Sequence, residues 1–292
     1  MRQIEDRRRS LTAQGRDGWA RMMSEWQADG PDAMWLMYSA DYLLRTAGLR
    51  WAIDPVRLTY HVAQAGPVPT APLADLDLVV LTHNHHDHVD EELLRELSRH
   101  DDTRWVVPHH MREVIGRCGI RQKRVIVPQP MRSVAVGPLR LTAFEGLHWE
   151  YPGRWGEGAP VAGIDASGYL AEWSVGREGA NGRRRLLIPG DTRTYDGSAL
   201  PDFGPVDTVL AHVWLGRGAA LEPDPPRLGE LCGFIAALRP TEKVVLGHLE
   251  EVSREPEDYW SRGHADQVRR RLAEMLQGVA IEAPELWSAV TL

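Results

Sequence analysis

The stretch that most limits how this chain can fold is Leu76-Asp77-Leu78-Val79-Val80-Leu81, followed at once by Thr82-His83-Asn84-His85-His86-Asp87-His88-Val89. The apolar run has the length and composition of a buried strand. Immediately afterwards, Val89 to Leu97 places apolar residues at helical spacing. The order strand, polar turn, helix predicts an α/β protein whose chemistry sits where a strand ends. His83, His85, Asp87 and His88 offer imidazole and carboxylate, the donors preferred by borderline divalent metals such as zinc. Four donors in six residues exceed what one ion comfortably takes from so short a loop, so the spacing suggests two ions. A solvated, histidine-rich turn is the plain alternative. It would require the strand, the spacing and the residue choice to coincide by chance.

The rest of the chain supplies matching pieces. Residues 4 to 27 form an amphipathic helical pattern with Leu11, Trp19, Met22, Met23 and Trp26 on one side, closed by Gly30-Pro31. This segment (1–30) is expected as a helical extension packed on the domain, with a dimerisation or lid element as the other option. Residues 31–292 are expected as one catalytic domain. Strands are predicted at 34–38, 42–46, 49–53, 104–107, 124–127, 133–136, 139–144, 169–175, 185–188, 207–211 and 243–246, and helices at 227–238 and 265–276. A basic hairpin tip is expected around Gly179–Gly182 and Arg183–Arg185. Two blocks of strands joined to helices predict two sheets packed face to face with helices outside. That arrangement would let ligands distant in sequence meet at one edge.

Three later positions repeat the pattern of a strand followed by a ligand type: His148 after Leu141–Phe144, Asp191 after Leu186–Ile188, and His248 after Val244–Leu246. Singly each is weak, since glycine-aspartate is a common turn and a histidine after a strand often only satisfies the surface. Jointly they complete a site.

Here the chain resembles the metallo-β-lactamase-fold hydrolases. His83-Asn84-His85-His86-Asp87-His88 matches their HxHxDH motif, and His148, Asp191 and His248 match the later ligands in order, over roughly residues 34 to 290. The resemblance implies a four-layered αβ/βα sandwich with a dinuclear site. It also implies that His83, His85 and His148 hold one metal, that Asp87, His88 and His248 hold the other, and that Asp191 bridges. Trp35–Tyr38, Ile53-Asp54-Pro55, His148-Trp149 and Pro189–Thr192 look most like the branch containing ascorbate-6-phosphate lactonase and N-acylphosphatidylethanolamine phospholipase D. Features of other branches do not match: a cysteine among the later ligands, a helical C-terminal domain, an inserted domain, or glutamate for the second histidine.

Two divalent cations about 3.5–4 Å apart can share a water and deliver hydroxide near pH 7. The expected activity is cleavage of a small ester, lactone or phosphoester, with Asp87 and Asp191 binding metal and exchanging a proton. Zinc suits the donors, with manganese and iron open. The same ligands could instead serve a di-iron oxygen-dependent oxidoreductase, or the fold could be a binding protein without catalysis. Arg193 and Tyr195 are candidates to hold an anion. Trp149, Tyr151, Arg154 and Trp155 form an aromatic, basic loop that Gly153, Gly156 and Gly158 would allow to act as a lid. Trp214 and Arg217 are candidates for the opposite wall. His212 and His264 are candidates to support the ligands, whereas His61, His86, His100, His109 and His110 have ordinary surface explanations.

A net charge of -7 and a pI near 6.0 disfavour a nucleic-acid partner and leave a small molecule as the expected one. No signal peptide pattern or apolar run of about 20 residues is visible, so no membrane span and a cytoplasmic location are expected. Cys118 and Cys232 are expected as buried free thiols. Homo-oligomerisation is left open.

Overall fold

The computed structural model describes residues 2–58, 68–152, 157–175 and 182–292. The chain forms two compact units. One comprises Met1–Pro128, Glu251–Glu255 and Pro284–Leu292; the other comprises Gln129–Glu250 and Pro256–Ala283.

In the first unit, helix α1 (Arg2–Gln27) precedes an antiparallel meander of β1 (Ala33–Tyr38), β2 (Asp41–Thr46) and β3 (Leu49–Ile53). Three parallel strands follow: β4 (Leu78–Val80), β5 (Arg104–Val106) and β6 (Val125–Ile126). Helices α2 (Glu91–Leu97) and α3 (Arg112–Arg117) lie in the connections between them. The last strand of the chain, β14 (Ala289–Thr291), pairs with β1, giving the order β14-β1-β2-β3-β4-β5-β6. The apolar side of α1 is part of the core here: Trp19, Met22, Met23 and Trp26 are buried in one cluster with Trp35, Leu43, Val79 and Trp105. Helix α2 starts at Asp90, whose carboxylate accepts from the Leu93 amide at 3.0 Å and also binds Arg57. That cap fixes where the ligand loop stops and the helix begins.

The second unit mirrors this plan. Antiparallel β7 (Ser133–Val136), β8 (Leu139–Glu145), β9 (Ser167–Val175) and β10 (Gly182–Ile188) lead into parallel β11 (Val206–His212), β12 (Pro240–Gly247) and β13 (Ala280–Glu282), in the order β13-β12-β11-β10-β9-β8-β7. Helices α4 (Leu228–Ala237) and α5 (Arg262–Met275) cover it, and Leu231, Phe234, Ile235, Val268 and Leu272 share its core with Val209 and Leu246.

The fold is therefore α/β, with two mixed sheets of seven strands each among the described residues, accompanying helices and the N-terminal helix. The start of β10 differs from expectation. Strand β10 begins at Gly182, so Arg183, Arg184 and Arg185 lie in a strand rather than at a tip. Their charges are met by Glu172, Asp207 and Glu242. The expected tip residues Gly179–Asn181 lie outside the described residues, as do His61, Gly153, Arg154, Trp155 and Gly156. Among the described residues, no helix is long and apolar enough to cross a membrane.

Candidate metal centre

Each sheet carries its candidate ligands at the carboxyl ends of adjacent parallel strands, where open α/β sheets bind ligands. In the first unit β3, β4 and β5 run side by side. Asp54 follows β3, the His83 loop follows β4, and His110 follows β5. The ladder continues past the strands, with the Asp54 amide bonded to Val80 O at 2.9 Å and the Leu81 amide to Val106 O at 3.0 Å. In the second unit β10, β11 and β12 end at Asp191, His212 and His248. His148 follows β8.

Within the first unit His83, Asp87 and His88 are buried, and His85 is half-buried. The His83 and His88 rings lie 4.0 Å apart and the His83 and His85 rings 4.9 Å apart. Asp54 organises them. Its carboxylate accepts from the Thr82 amide at 2.8 Å, from the Thr82 hydroxyl, and from His88 Nδ1 at 2.8 Å. Because Thr82 Oγ1 spends its proton on Asp54, its contact with His83 Nδ1 at 2.9 Å requires the ring to donate. One carboxylate thus fixes two imidazoles with protons on Nδ1, and each presents its lone pair at Nε2. Asp54, His83 and His88 offer ligand atoms within 4.8 Å of one another. Asp54 also has a left-handed backbone (φ 46°), a conformation a non-glycine residue holds only when its surroundings impose it.

Within the second unit, His212 Nδ1 donates to Asp191 Oδ1 at 2.7 Å. The other oxygen, Oδ2, stands 3.6 Å from His148 Nε2 and 3.5 Å from His248 Nε2. These separations are long for hydrogen bonds. They match the spacing of donors sharing a cation, since zinc bonds of about 2.0–2.2 Å at tetrahedral angles place neighbouring donors roughly 3.3–3.5 Å apart. His148, Asp191 and His248 are all buried. A set made only of imidazoles and carboxylates, all buried but His85, with His83, His88 and Asp191 steered by further hydrogen bonds, fits a divalent metal of the zinc, manganese or iron type.

Beside Asp191, Arg193 has Nη2 3.8 Å from Asp191 Oδ2 and Nη1 3.7 Å from Glu150 Oε1. Its guanidinium stacks 4.5 Å over Trp214. Arg217, largely exposed, reaches Glu150 at 2.8 Å. Arg193, Trp214 and Arg217 are thereby gathered around Glu150. Trp149 and Tyr151 flank Glu150 and are half-buried. Tyr195 is placed elsewhere: its ring packs against Phe234 in the core, and its hydroxyl donates to the Trp214 carbonyl. Burial raises its pKa far above the ordinary phenol value, so it does not serve as an ionising group.

Of the two supporting histidines considered, His212 binds a ligand and His264 does not. His264 accepts from the Ser261 amide at 2.9 Å at the start of α5 and contacts the Ala220 carbonyl, which is a helix-capping role. His86 is exposed. Asp54, Glu150 and the Thr82 relay escape a reading of the sequence alone. The only trace of Asp54's role is the Asp-Pro pair that ends β3. His110, counted as ordinary surface, contacts the Thr82 carbonyl at 3.1 Å.

A family model described as "Beta-lactamase superfamily domain" matches residues 50–248. No curated protein matches the chain. Similar solved structures include a possible metal-dependent hydrolase from Veillonella parvula (19% identity, TM-score 0.62, covering 90% of this chain and 100% of that one). Another is the metallo-beta-lactamase fold protein YhfI from Bacillus subtilis (14%, TM-score 0.58, 89% and 100%). A third is CmlA, a diiron beta-hydroxylase from Streptomyces venezuelae (18%, TM-score 0.60, 91% and 55%). At these identities the likeness shows the fold.

Proposed function

The chain belongs to the family of the Beta-lactamase superfamily domain, and from that membership we propose that it is a dinuclear metal-dependent hydrolase acting on a small ester, lactone or phosphoester. The observation that carries this reading is Asp191, whose Oδ1 is held by His212 while Oδ2 stands 3.6 Å from His148 Nε2 and 3.5 Å from His248 Nε2. A carboxylate fixed on one oxygen and presenting the other to two imidazoles is suited to bridging.

In this proposal His83, His85 and His148 hold one ion, Asp87, His88 and His248 hold the other, and Asp191 is shared. Residues 31–292 act as the catalytic domain. Two divalent ions, zinc first and manganese or iron otherwise, would supply a water acidic enough to ionise near neutral pH and an electrophilic pole for the substrate oxygen. The protein does the remainder. Asp54 and Thr82 hold the His83 and His88 rings in the tautomer that presents Nε2. Asp87 and Asp191 take and return a proton at their carboxylates. Arg193, stacked on Trp214, gives the substrate's anionic oxygen a cation within the second unit, and Trp149, Tyr151 and Arg217 line its approach. The substrate is a small molecule, with the lactone and phosphodiester chemistries of the branch resembled above as the first to try.

The test is a panel of lactone, phosphodiester, thioester and amide substrates, run on protein of measured metal content while dissolved oxygen is recorded. Metal-dependent hydrolysis of at least one member supports the reading. An iron-loaded, coloured protein that hydrolyses none and consumes oxygen would replace it with an oxidoreductase. No turnover of any kind would leave a binding protein.

A further inference from the structure

Asp87 is buried, and its carboxylate does not stand alone in the first unit. Arg254 Nη2 donates to Asp87 Oδ2 at 3.1 Å, and Arg254 Nε donates to Glu251 Oε2. Glu251 is itself buried and accepts from the Ser253 hydroxyl at 3.2 Å through its other oxygen. One guanidinium therefore lies between two carboxylates separated by more than 160 residues of sequence, an arrangement that the planar, many-donor head of arginine holds in fixed geometry. The segment carrying Arg254 is fixed from two further directions. The Val252 amide donates to the Tyr38 hydroxyl at 2.9 Å, anchoring it to the end of β1. Arg7 Nη1, from α1, donates to the Arg254 carbonyl at 2.8 Å.

We propose that Arg254 is a positioning residue for Asp87, and that the N-terminal helix sets its place through Arg7. The inference rests on the reading of Asp87 as a ligand of the second ion. With Oδ2 held by Arg254, the carboxylate plane is fixed and Oδ1 is the oxygen presented to a cation. Glu251 offsets the added positive charge, so the orientation is obtained without leaving an extra cation beside the ion. This gives α1 a purpose beyond packing: Trp19 and Trp26 secure the helix in the core, and Arg7 carries its position to the ligand set.

The test is zinc binding to the full chain, followed by competition with a chromophoric chelator that resolves the first and second ions. Wild-type protein should bind two. Arg254→Met should retain the first ion and weaken the second about 10- to 100-fold, the usual cost of losing a partner of a metal ligand. Arg254→Lys should fall between, because a single ammonium cannot hold both carboxylates in the same geometry. Arg7→Met should shift the same step by a smaller factor. Metal-free Arg254→Met should melt below metal-free wild type, because Asp87 and Glu251 lose their shared cation, whereas Arg254→Lys and Arg7→Met, which keep that charge, should melt close to it. Unchanged second-ion affinity in Arg254→Met overturns the inference. So does equal weakening of both ions, which would mark a general structural role. If Arg254→Met does not fold, unchanged affinities in Arg254→Lys and Arg7→Met overturn it instead. Fewer than two ions on wild-type protein would overturn the dinuclear reading, and this inference with it.

Discussion

His212 Nδ1 donates to Asp191 Oδ1 at 2.7 Å, and that one bond decides which oxygen Asp191 shows to His148 and His248. The two residues come from the ends of neighbouring parallel strands, β10 and β11, so sheet register brings them together rather than sequence proximity. His212→Ala should leave the fold intact while lowering metal affinity or turnover about 10- to 100-fold. Metal content after dialysis against a weak chelator, measured beside kcat, checks this. Unchanged occupancy and kcat would mean that Asp191 is oriented by other groups.

Asp54 should be costlier to replace. Asp54→Ala removes the acceptor for the Thr82 amide, the Thr82 hydroxyl and His88 Nδ1, all in a buried region. Each orphaned group costs roughly 1–3 kcal/mol. The expected result is a large fall in melting temperature even in metal-free protein, in contrast to His212→Ala. A melting temperature within a degree of wild type would contradict the relay from Asp54 through Thr82 to His83.

The N-terminal helix should be inseparable from the first unit. Trp19 and Trp26 are fully buried, and the Trp26 indole donates to the Leu44 carbonyl at 3.2 Å. Trp26→Ala should destabilise by about 3–5 kcal/mol, read from denaturant unfolding. A loss under 1 kcal/mol would show that the helix is an appendage.

Stability should also fall in alkali. Cys118 and Cys232 are buried free thiols, and burial raises each to about 11. In the unfolded chain they ionise near the ordinary thiol value of about 8.5. The folded state therefore binds more protons between those two values. The thiols' contribution is complete below about pH 8.5 and is lost as pH rises towards about 11. Iodoacetamide at pH 8 should label neither thiol in native protein and both in denaturant. Rapid labelling of the native protein would contradict their burial.

How much of this was legible in the residues varies with the physics of each element. The β4 strand, the ligand loop and α2 were readable because an apolar run, dense imidazoles and a helical period sit side by side. His148, Asp191 and His248 were readable only as a set, each as a ligand type after a strand. Strands β13 and β14 were not, since three residues such as Ala289-Val290-Thr291 carry no pattern and become a strand only by pairing with β1. The short α3 gives less than two turns of periodicity. Asp54 and Glu150 gave no sign of their roles because those depend on partners distant in sequence, Thr82 and His88 for one, Arg193 and Arg217 for the other. Tyr195, chosen for its position beside Asp191, is turned into the core by a left-handed backbone (φ 55°) that no local pattern announces.

The most direct test of the dinuclear account is the number of zinc ions per chain in wild-type protein and in Asp191→Ala, with turnover measured on the same samples. Two ions and activity in wild type, with both lost together in the variant, is the expected result. An Asp191→Ala protein that keeps two ions and full turnover would contradict the shared role given to Asp191.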